Sequence, residues 1–446
     1  MSTARDFLAL PADAVSREKL AAQGLDYRVL DTRDEVAFAA WVRADERGFH
    51  GPLGTPEQNA FARSAMGSRR TVGVWDAGIV RPDEPVATVN AWPAELTVPG
   101  RRTVDGWAIS SVTVSPTHRR RGIARALLEG ELRSAVALGL PLAMLTVSEA
   151  SIYGRYGFGP AAGAADVSID TSRAGWLGDE PTGRVDFIDP EEYPAIAAAL
   201  HEAGRLDHPG EVPGWIQRWH QAAALAPGDS KRAATRAVQY REDGEVRAAA
   251  VFRVIENPSD FGRHRVEVAR LDSTTASARL GLFRFLLSLD LVERVDADLL
   301  SVDEPLLWRL ADQRAATVRV HDHQWLRILD VPAALEGRAL AGAGRWRLEV
   351  TDPLGHASGS WLVESDAEGV AHVTADSGVD EVDTGAGAEA PTLRTDVAAL
   401  SSAYLGGVAV GTLAAAGRMA GSDAEAVAIA DRVLRSPVTP YLSIWY

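Results

Sequence analysis

Hydrophobic and polar positions recur along the chain with two different periods. Alternating β-branched residues, as at Val112 and Val114, and short runs rich in Val, Thr and Trp, such as 72–75 and 85–92, are typical of strands. Segments 35–45 and 123–136 repeat apolar residues every three to four positions, which is typical of amphipathic helices. The first third of the chain is therefore predicted to have the order β-α-α-β-β-β-α-β-α-β, preceded by a loose extension over residues 1–25.

Two further segments follow the same logic. The central segment is predicted to form helices at 191–203, 214–225 and 280–291 and strands at 234–240, 246–256 and 265–271. This repeats the sheet-then-helix order of the first segment. A third segment begins with a strand near residue 325 and a helix that has Pro332 in its first turn. The predicted domains are residues 1–166, 167–321 and 322–446.

The stretch 112–125 predicts a site for an anion. Pro116 ends a strand because it has no N–H to donate to a ladder. The helix that begins at Ile123 presents main-chain N–H groups without intrahelical partners, at the positive end of its dipole. Gly122 allows close approach of the main chain, and Arg119–Arg121 add positive charge. The pattern suits a pyrophosphate, although an arginine run before a helix is more often a solvated face.

Composition and charge narrow the function classes. The 446 residues carry 46 Lys and Arg against 61 Asp and Glu, a formal net charge of −15. Such an acidic chain disfavours nucleic acid and favours cationic small molecules. It contains 0 cysteines, which excludes disulfides, cysteine-based zinc sites and thiol nucleophiles. No secretory signal or membrane-spanning run is recognisable, so we expect a cytoplasmic protein. We also expect no bound metal.

The motif Arg119-x-x-Gly122-x-Ala124 resembles the acetyl-CoA signature of the GCN5-related N-acetyltransferases. Together with segments 148–161 and 325–336 and the aromatic C-terminus, it makes nearly the whole chain similar to the Eis (enhanced intracellular survival) acetyltransferases of actinobacteria. The resemblance implies an α+β fold with two GNAT domains and a C-terminal domain similar to sterol carrier proteins. It also implies a homohexamer that transfers acetyl groups from acetyl-CoA to aminoglycoside amines.

The central domain is predicted to be a degenerate copy. Its turn before the apolar helix, residues 273–277, has neither an arginine run nor a glycine at the position of Gly122. Catalysis is therefore assigned to the N-terminal domain.

The resemblance also assigns site residues. Those expected to bind the cofactor are Val112, Thr113, Val114, Arg119, Arg120, Arg121, Gly122, Ile123, Ala124, Arg125, Ser148 and Glu149. Tyr153 falls on the family's general acid, and Tyr446 on the residue whose terminal carboxylate is the base. The chemistry suits these groups, because an ammonium must lose a proton before it attacks and the departing thiolate must gain one. Tyr156 lies close by and competes for the acid role.

The acceptor amine is less well defined. Residues expected to contact it are Phe49, Phe61, Trp92, Asp322 and Trp445. Trp445 stands where the known family enzyme has an acidic residue, so the pocket is expected to be more aromatic. Aminoglycoside-like amines are the first hypothesis. Lysine side chains of a protein, and a CoA-responsive scaffold without catalysis, are the alternatives.

Overall fold

The computed structural model describes residues 7–376 and 390–446, which form two compact units. The first unit runs to Ala162 and also contains Asp322–Pro440 and Trp445–Tyr446. The second contains Gly163–His321 and Tyr441–Ile444. The domain limits that the sequence suggests at 166/167 and 321/322 stay predictions.

The N-terminal part of the first unit is a sheet covered by helices. Its elements are α1 (Ala14–Ala21), β1 (Leu25–Val29), α2 (Glu35–Gly48), α3 (Pro56–Met66), β2 (Arg70–Asp76), β3 (Ala87–Val98), β4 (Arg102–Val114), α4 (Ile123–Ala137), β5 (Leu142–Thr146), α5 (Ala150–Tyr153) and β6 (Gly159–Asp170). Short 3₁₀ turns lie at Phe7–Ala9, Pro116–His118 and Gly154–Tyr156. From β1 onward, the predicted order of strands and helices is confirmed.

The prediction of a loose extension over residues 1–25 is wrong for the described part of that segment. The α1 helix is capped by Asp13, whose carboxylate accepts a hydrogen bond from the Ser16 main-chain N–H at 2.8 Å. The Ser16 hydroxyl donates to the Ala126 carbonyl oxygen at 2.7 Å, and Arg133 pairs with Asp13 at 2.7 Å. These contacts with α4 tie the helix to the core, which no local sequence pattern reveals.

Strands β1 to β4 form an antiparallel meander, and β4 pairs in parallel with β5. The parallel pairing needs a crossover, which α4 supplies. Ile123, Leu127, Leu128 and Leu132 of α4 are at most 1% exposed, because they form the apolar stripe that packs on the sheet. Val136, predicted to continue this stripe, is 42% exposed and faces solvent.

The second unit repeats this plan. Its elements are α6 (Thr171–Ala174), β7 (Arg184–Ile188), α7 (Tyr193–Gly204), α8 (Ile216–Ala222), β8 (Thr235–Glu242), β9 (Glu245–Ile255), β10 (His264–Ser273), α9 (Ala276–Leu287) and β11 (Val292–Leu300). Its short 3₁₀ turns are Arg205–Asp207, Arg232–Ala234, Pro305–Arg309 and Gln313–Ala315. The strand order is β6-β11-β10-β9-β8-β7, and the parallel pair β10 and β11 is joined by α9. Strands β7 and β11 are additional to those that the sequence predicts.

The C-terminal part of the first unit carries its own five-stranded sheet, in the order β15-β14-β13-β16-β17. Its elements follow β12 (Ala316–Ile328) and are α10 (Val331–Gly337), β13 (Gly344–Thr351), β14 (Gly359–Ser365), β15 (Ala371–Ala375), β16 (Thr392–Asp396), α11 (Val397–Ala403), α12 (Val410–Ala415), β17 (Met419–Gly421) and α13 (Ala424–Leu434). In the described ranges, no helix combines the length and apolar character needed to cross a bilayer.

A buried arginine joins this part to the N-terminal part. Arg327 of β12 donates to the Tyr156 carbonyl oxygen at 2.7 Å and pairs with Asp352 at 2.6 Å, and both charged side chains are 0% exposed. Burial acts to raise the pKa of Asp352, but the Arg327 guanidinium and main-chain N–H donors outweigh it and lower the pKa. The pair is therefore ionised at neutral pH.

We expect Asp352→Asn to lower the free energy of unfolding by about 3–5 kcal/mol, because it leaves a buried guanidinium without its counter-charge. Since the folded pKa of Asp352 is lowered, this stabilisation is complete above its unfolded pKa of about 4. It is lost as the pH falls through the folded pKa. Urea denaturation followed by tryptophan fluorescence measures the change.

The exposed pair Arg345–Glu364, at 3.1 Å and about half exposed on both sides, supplies the control. Glu364→Gln should change stability by less than about 1 kcal/mol. Equal effects of the two substitutions would contradict the importance of the Arg327 pair.

Candidate active site

The loop between β4 and α4 is held in a fixed shape by local contacts. The buried His118 ring bonds to Asp76 through Nε2 at 3.0 Å and to the Thr117 hydroxyl through Nδ1 at 2.8 Å. Two residues of the loop adopt left-handed backbone conformations, Arg120 at φ 63° and Gly122 at φ 75°. Successive turns of this kind aim main-chain N–H groups into one concave surface, which suits an anion.

The first turn of α4 is left open to a ligand. Gly122 is its N-cap residue, and no side chain caps the helix. Arg119 and Arg120 are exposed, and neither forms an ion pair with any residue in the described ranges. In the second unit, by contrast, the Thr275 hydroxyl accepts a hydrogen bond from the Ala278 N–H at the start of α9. The residues of the α4 turn therefore fit the pyrophosphate of CoA, whereas the corresponding turn at α9 is already capped.

Strands β4 and β5 pair only briefly before they separate. Their parallel register covers Gly106 with Leu142 through Ala108 with Met144. From Ile109 to Val114, β4 has no partner on β5 within the described residues. An unpaired strand edge offers main-chain donors and acceptors to an extended ligand, so this edge fits the amide-containing pantetheine arm of CoA.

A cavity of about 170 Å³ lies where the two strands separate. Its lining residues are Phe49, Ile109, Ser110, Ser111, Val112, Leu145, Thr146, Ser148, Tyr153, Trp445 and Tyr446. The cavity therefore combines hydroxyl groups from two diverging strands with aromatic rings from the end of the sequence.

Tyr446 is fixed beside the end of β5. The Thr146 hydroxyl donates to the Tyr446 main-chain oxygen at 2.7 Å. The Tyr446 ring makes an edge contact with Trp92, with ring centroids 5.7 Å apart, and Trp445 makes a similar contact with His323 at 4.5 Å. Burial raises the pKa of the Tyr446 phenol, and the Gln324 amide offsets part of this rise. The phenol is therefore neutral at pH 7, and the Tyr446 side chain brings no negative charge to the cavity.

Tyr153 and Tyr156 occupy different surroundings. Tyr153 lines the cavity, and its ring packs edge-on against Phe158. Burial, with a smaller contribution from the Glu149 carboxylate, raises the pKa of Tyr153 to about 12. Tyr156 is absent from the cavity lining, and its carbonyl oxygen binds Arg327. Of the two tyrosines, Tyr153 is therefore the one that lines the cavity.

A β-bulge shapes the floor of the cavity. Thr88 pairs with Thr113 and Asn90 with Ser110, so Ser111 and Val112 together stand opposite a single residue of β3. Ser111 adopts the left-handed conformation at φ 56°, which is uncommon for a residue other than glycine. The Thr88 hydroxyl donates to the Ser111 carbonyl oxygen at 2.8 Å and thereby holds the bulge.

The cavity brings together only part of the predicted site. The predicted residues on its lining are Phe49, Val112, Ser148, Tyr153, Trp445 and Tyr446. Among the predicted acceptor contacts, Phe61, Trp92 and Asp322 are absent from that lining. The Trp92 ring packs edge-on against the Tyr446 ring, and Asp322 accepts a hydrogen bond from the Trp325 indole at 2.7 Å. The roles of all these residues toward a ligand stay predictions.

Several polar residues at the cavity are not predicted from the sequence. Ser110, Ser111 and Thr146 line it, yet they belong to no recognisable motif. The pair of serines inside an otherwise apolar strand is the signal that could have indicated a bulge. Asp45 ends the helix predicted at 35–45, and nothing in its local sequence shows that β3 and β4 pack around it.

Family models cover most of the chain. An acetyltransferase (GNAT) domain model matches residues 30–161, and a second one matches residues 214–328. A sterol carrier protein domain model matches residues 331–443. The chain therefore contains two GNAT domains followed by a sterol carrier protein domain, as the resemblance implied.

Full-length relatives agree with this division. An uncharacterized N-acetyltransferase of Streptomyces avermitilis is 33% identical over 91% of this chain and 96% of its own length. The N-acetyltransferase Eis of Mycobacterium tuberculosis is 33% identical over 77% of this chain and 81% of its own length. The chain belongs to the Eis family. The crystal structure of Eis1 from Mycobacterium abscessus superimposes on this Eis-family chain with a TM-score of 0.77 and 26% identity, covering 95% of this chain and 100% of that one.

Membership in the Eis family establishes the type of reaction. The chain is an N-acetyltransferase, and the GNAT fold implies acetyl-CoA as the acyl donor. The open α4 turn and the unpaired edge of β4 lie in the domain that the first GNAT model covers.

We expect Gly122→Ala to weaken CoA binding about 5- to 30-fold, because a Cβ costs roughly 1–2 kcal/mol in the left-handed conformation. A Cβ at this position meets no atom within 4 Å, so the expected cost comes from the backbone conformation and not from a steric clash. The loop can lower this cost by changing its conformation, which weakens its binding of pyrophosphate. Isothermal titration calorimetry with CoA measures the effect.

Gly139 offers a matched control. It follows α4, has φ 71°, and an added Cβ there also meets nothing within 4 Å. Gly139→Ala should lower stability by a similar amount while CoA affinity stays unchanged. A loss of CoA affinity in both variants would show that strain in general, and not the α4 turn, is responsible.

Proposed function

We propose that this Eis-family enzyme acetylates primary amines of small, cationic and amphipathic molecules, with aminoglycosides as the leading substrate class. The proposal rests on one observation: Tyr153 and Tyr446 line the same cavity, where β4 and β5 separate. The formal net charge of −15 favours the approach of cations. The aromatic side chains of Phe49 and Trp445 at the cavity suit the apolar face of such an acceptor.

In the proposed reaction, acetyl-CoA supplies an activated acyl group, and this chain positions the amine and moves its protons. The terminal carboxylate at Tyr446, held by Thr146, attracts the ammonium and accepts a proton from it. Main-chain N–H groups on the free edge of β4 near Val114 stabilise the charge that develops on the acyl oxygen. The Tyr153 phenol, whose raised pKa keeps it protonated at neutral pH, donates toward the departing sulfur.

Tyr153→Phe should lower kcat about 10²- to 10⁴-fold while leaving CoA affinity unchanged, because only the hydroxyl donor is removed. Tyr156→Phe is the matched control and should retain nearly full activity. Release of the CoA thiol, followed with a chromogenic disulfide reagent, measures both. Full activity of the Tyr153 variant would transfer the acid role to Tyr156 or to solvent.

Adding one glycine after Tyr446 should lower kcat by at least about 10²-fold, because the carboxylate moves away from Thr146. Mass spectrometry of the purified protein verifies the terminus, and CoA titration verifies that cofactor binding persists. An extended enzyme with unchanged turnover would remove the terminal carboxylate from the mechanism.

The substrate class is tested with a panel of acceptors. Wild-type protein is incubated with acetyl-CoA and aminoglycosides, simple diamines or lysine-containing peptides, and acetylated products are identified by mass spectrometry. Turnover of aminoglycosides supports the proposal, whereas turnover confined to peptides supports lysine acetylation. CoA binding without thiol release for any amine would instead support the scaffold alternative. We also propose a homohexamer, which light scattering coupled to size exclusion tests.

A further inference from the structure

Asp45 is a half-buried carboxylic acid that hydrogen bonds to Ser111, a residue on the cavity lining. It lies in the last turn of α2, where β3 and β4 pack against the helix. The Ser111 hydroxyl donates to its Oδ2 at 3.3 Å, and the Thr88 hydroxyl oxygen lies 3.4 Å from its Oδ1. Both distances are longer than an ordinary O–H···O hydrogen bond, and both hydroxyl groups are neutral. Asp45 is therefore positioned by the bulge of β4 without being neutralised by a cation.

Ser111 connects this carboxyl group to the cavity. It lines the cavity and hydrogen bonds to Asp45 on its other side. Its left-handed backbone conformation is held by the bond from Thr88 to its carbonyl oxygen. Strained residues of this kind persist where the surrounding structure fixes them, and they concentrate at functional sites. A serine hydroxyl can accept one proton while it donates another.

The surroundings of Asp45 raise its pKa. Burial, together with the neighbouring Glu46 carboxylate, raises the pKa of Asp45 to about 7. The hydrogen bonds from Ser111 and Thr88 lower this pKa and offset part of the rise. Arg43 and Arg47, on the same helix, instead bind Glu84 at 3.1 and 2.9 Å.

No Lys, Arg or His in the described ranges forms an ion pair with Asp45, and the groups of β3 and β4 that contact it are the two hydroxyls. A carboxylate with a pKa near the working pH and no fixed counter-cation is suited to accept a proton.

We propose that Asp45 accepts a proton from the acceptor amine through the Ser111 hydroxyl. The amine proton passes to Ser111 Oγ as the Ser111 hydroxyl proton passes to Asp45, so the serine ends unchanged. Asp45 becomes neutral and later returns the proton to solvent. Asp45 acts through another residue, so it is a positioning and proton-relay residue and not one that contacts substrate.

Proton counting leaves room for a second acceptor. An ammonium loses two N–H protons as the C–N bond forms and the C–S bond breaks, and the CoA sulfur regains one. The terminal carboxylate at Tyr446 attracts the cation and accepts one of these protons. The Asp45 carboxylate, reached through the Ser111 hydroxyl, accepts the other. This inference rests on the proposed function, because it concerns the same cavity.

Asp45→Asn tests the relay, because asparagine keeps the shape and a hydrogen bond to Ser111 but cannot accept the proton. In the wild type, kcat/KM should fall about tenfold per pH unit below about pH 7, since the ionised form of Asp45 is the active one. Asp45→Asn should abolish this acidic limb and lower kcat at about pH 8 by about 10²-fold. The acceptor is the aminoglycoside of the panel that the wild type turns over fastest.

Two further variants shift the pKa of Asp45 in opposite directions. Glu46→Gln removes a neighbouring negative charge, so the midpoint should move to lower pH while activity above it stays intact. Ser111→Ala removes a bond that favours the ionised carboxylate, so the pKa of Asp45 should rise and kcat should fall as in Asp45→Asn. A difference infrared titration of wild type against Asp45→Asn reports the same protonation directly in the absence of any acceptor.

The outcomes separate the two proposals. Two results together support the relay. Asp45→Asn loses the acidic limb, and the infrared band of a protonated carboxyl group disappears from the wild type as the pH rises through about 7. An unchanged limb in Asp45→Asn, or no carboxyl titrating near pH 7, overturns the relay while aminoglycoside turnover leaves the proposed function standing. If no amine of the panel is acetylated, both proposals fall together.

Discussion

The hydrogen bond from the Thr146 hydroxyl to the Tyr446 main-chain oxygen joins residues 300 positions apart in the chain. It places Tyr446 at the point where β4 and β5 separate, beside the Tyr153 ring. A ring contact with Trp92 also holds Tyr446, and a ring contact with His323 holds the neighbouring Trp445. Without this hydrogen bond Tyr446 would not be held on the cavity lining, and the acid and base roles proposed for Tyr153 and Tyr446 would have no common site.

The rest of the active-site geometry follows from how β4 is built. It pairs with β5 from Gly106 to Ala108 and then separates from it, which leaves an unpaired strand edge beside the cavity. The bulge at Ser111 interrupts the strand at the cavity and turns a hydroxyl toward Asp45. The left-handed Gly122 then starts α4 without a side-chain cap. Strand β4 and the turn at the start of α4 thus suit the pantetheine arm and the pyrophosphate of the acyl donor. Residues of β4 also line the cavity.

The anchoring of the C-terminal part follows the same principle of buried polar contacts between distant segments. Arg327 binds Tyr156 and Asp352 while its side chain is fully buried, and so ties the segment that carries Tyr153 to the sterol carrier protein domain. A buried pair of this kind costs desolvation energy, and its geometry must be nearly ideal to offset that cost. It therefore joins the segment next to Tyr153 to the C-terminal part of the chain, whose residues Trp445 and Tyr446 line the cavity.

Local features of this protein could be predicted from its amino-acid sequence alone. These include the order of strands and helices from β1 to β6, the open helix turn at Gly122, the end of β4 at Pro116 and the resemblance to the Eis family, because each depends on periodicity, backbone chemistry or a contiguous motif. The packing of α1, the bulge at Ser111, the surroundings of Asp45 and the choice between Tyr153 and Tyr156 became visible only in the folded chain. Each of them depends on which distant side chains share a buried space, and hydrogen bonding and charge in such a space depend on neighbours that are remote in the chain.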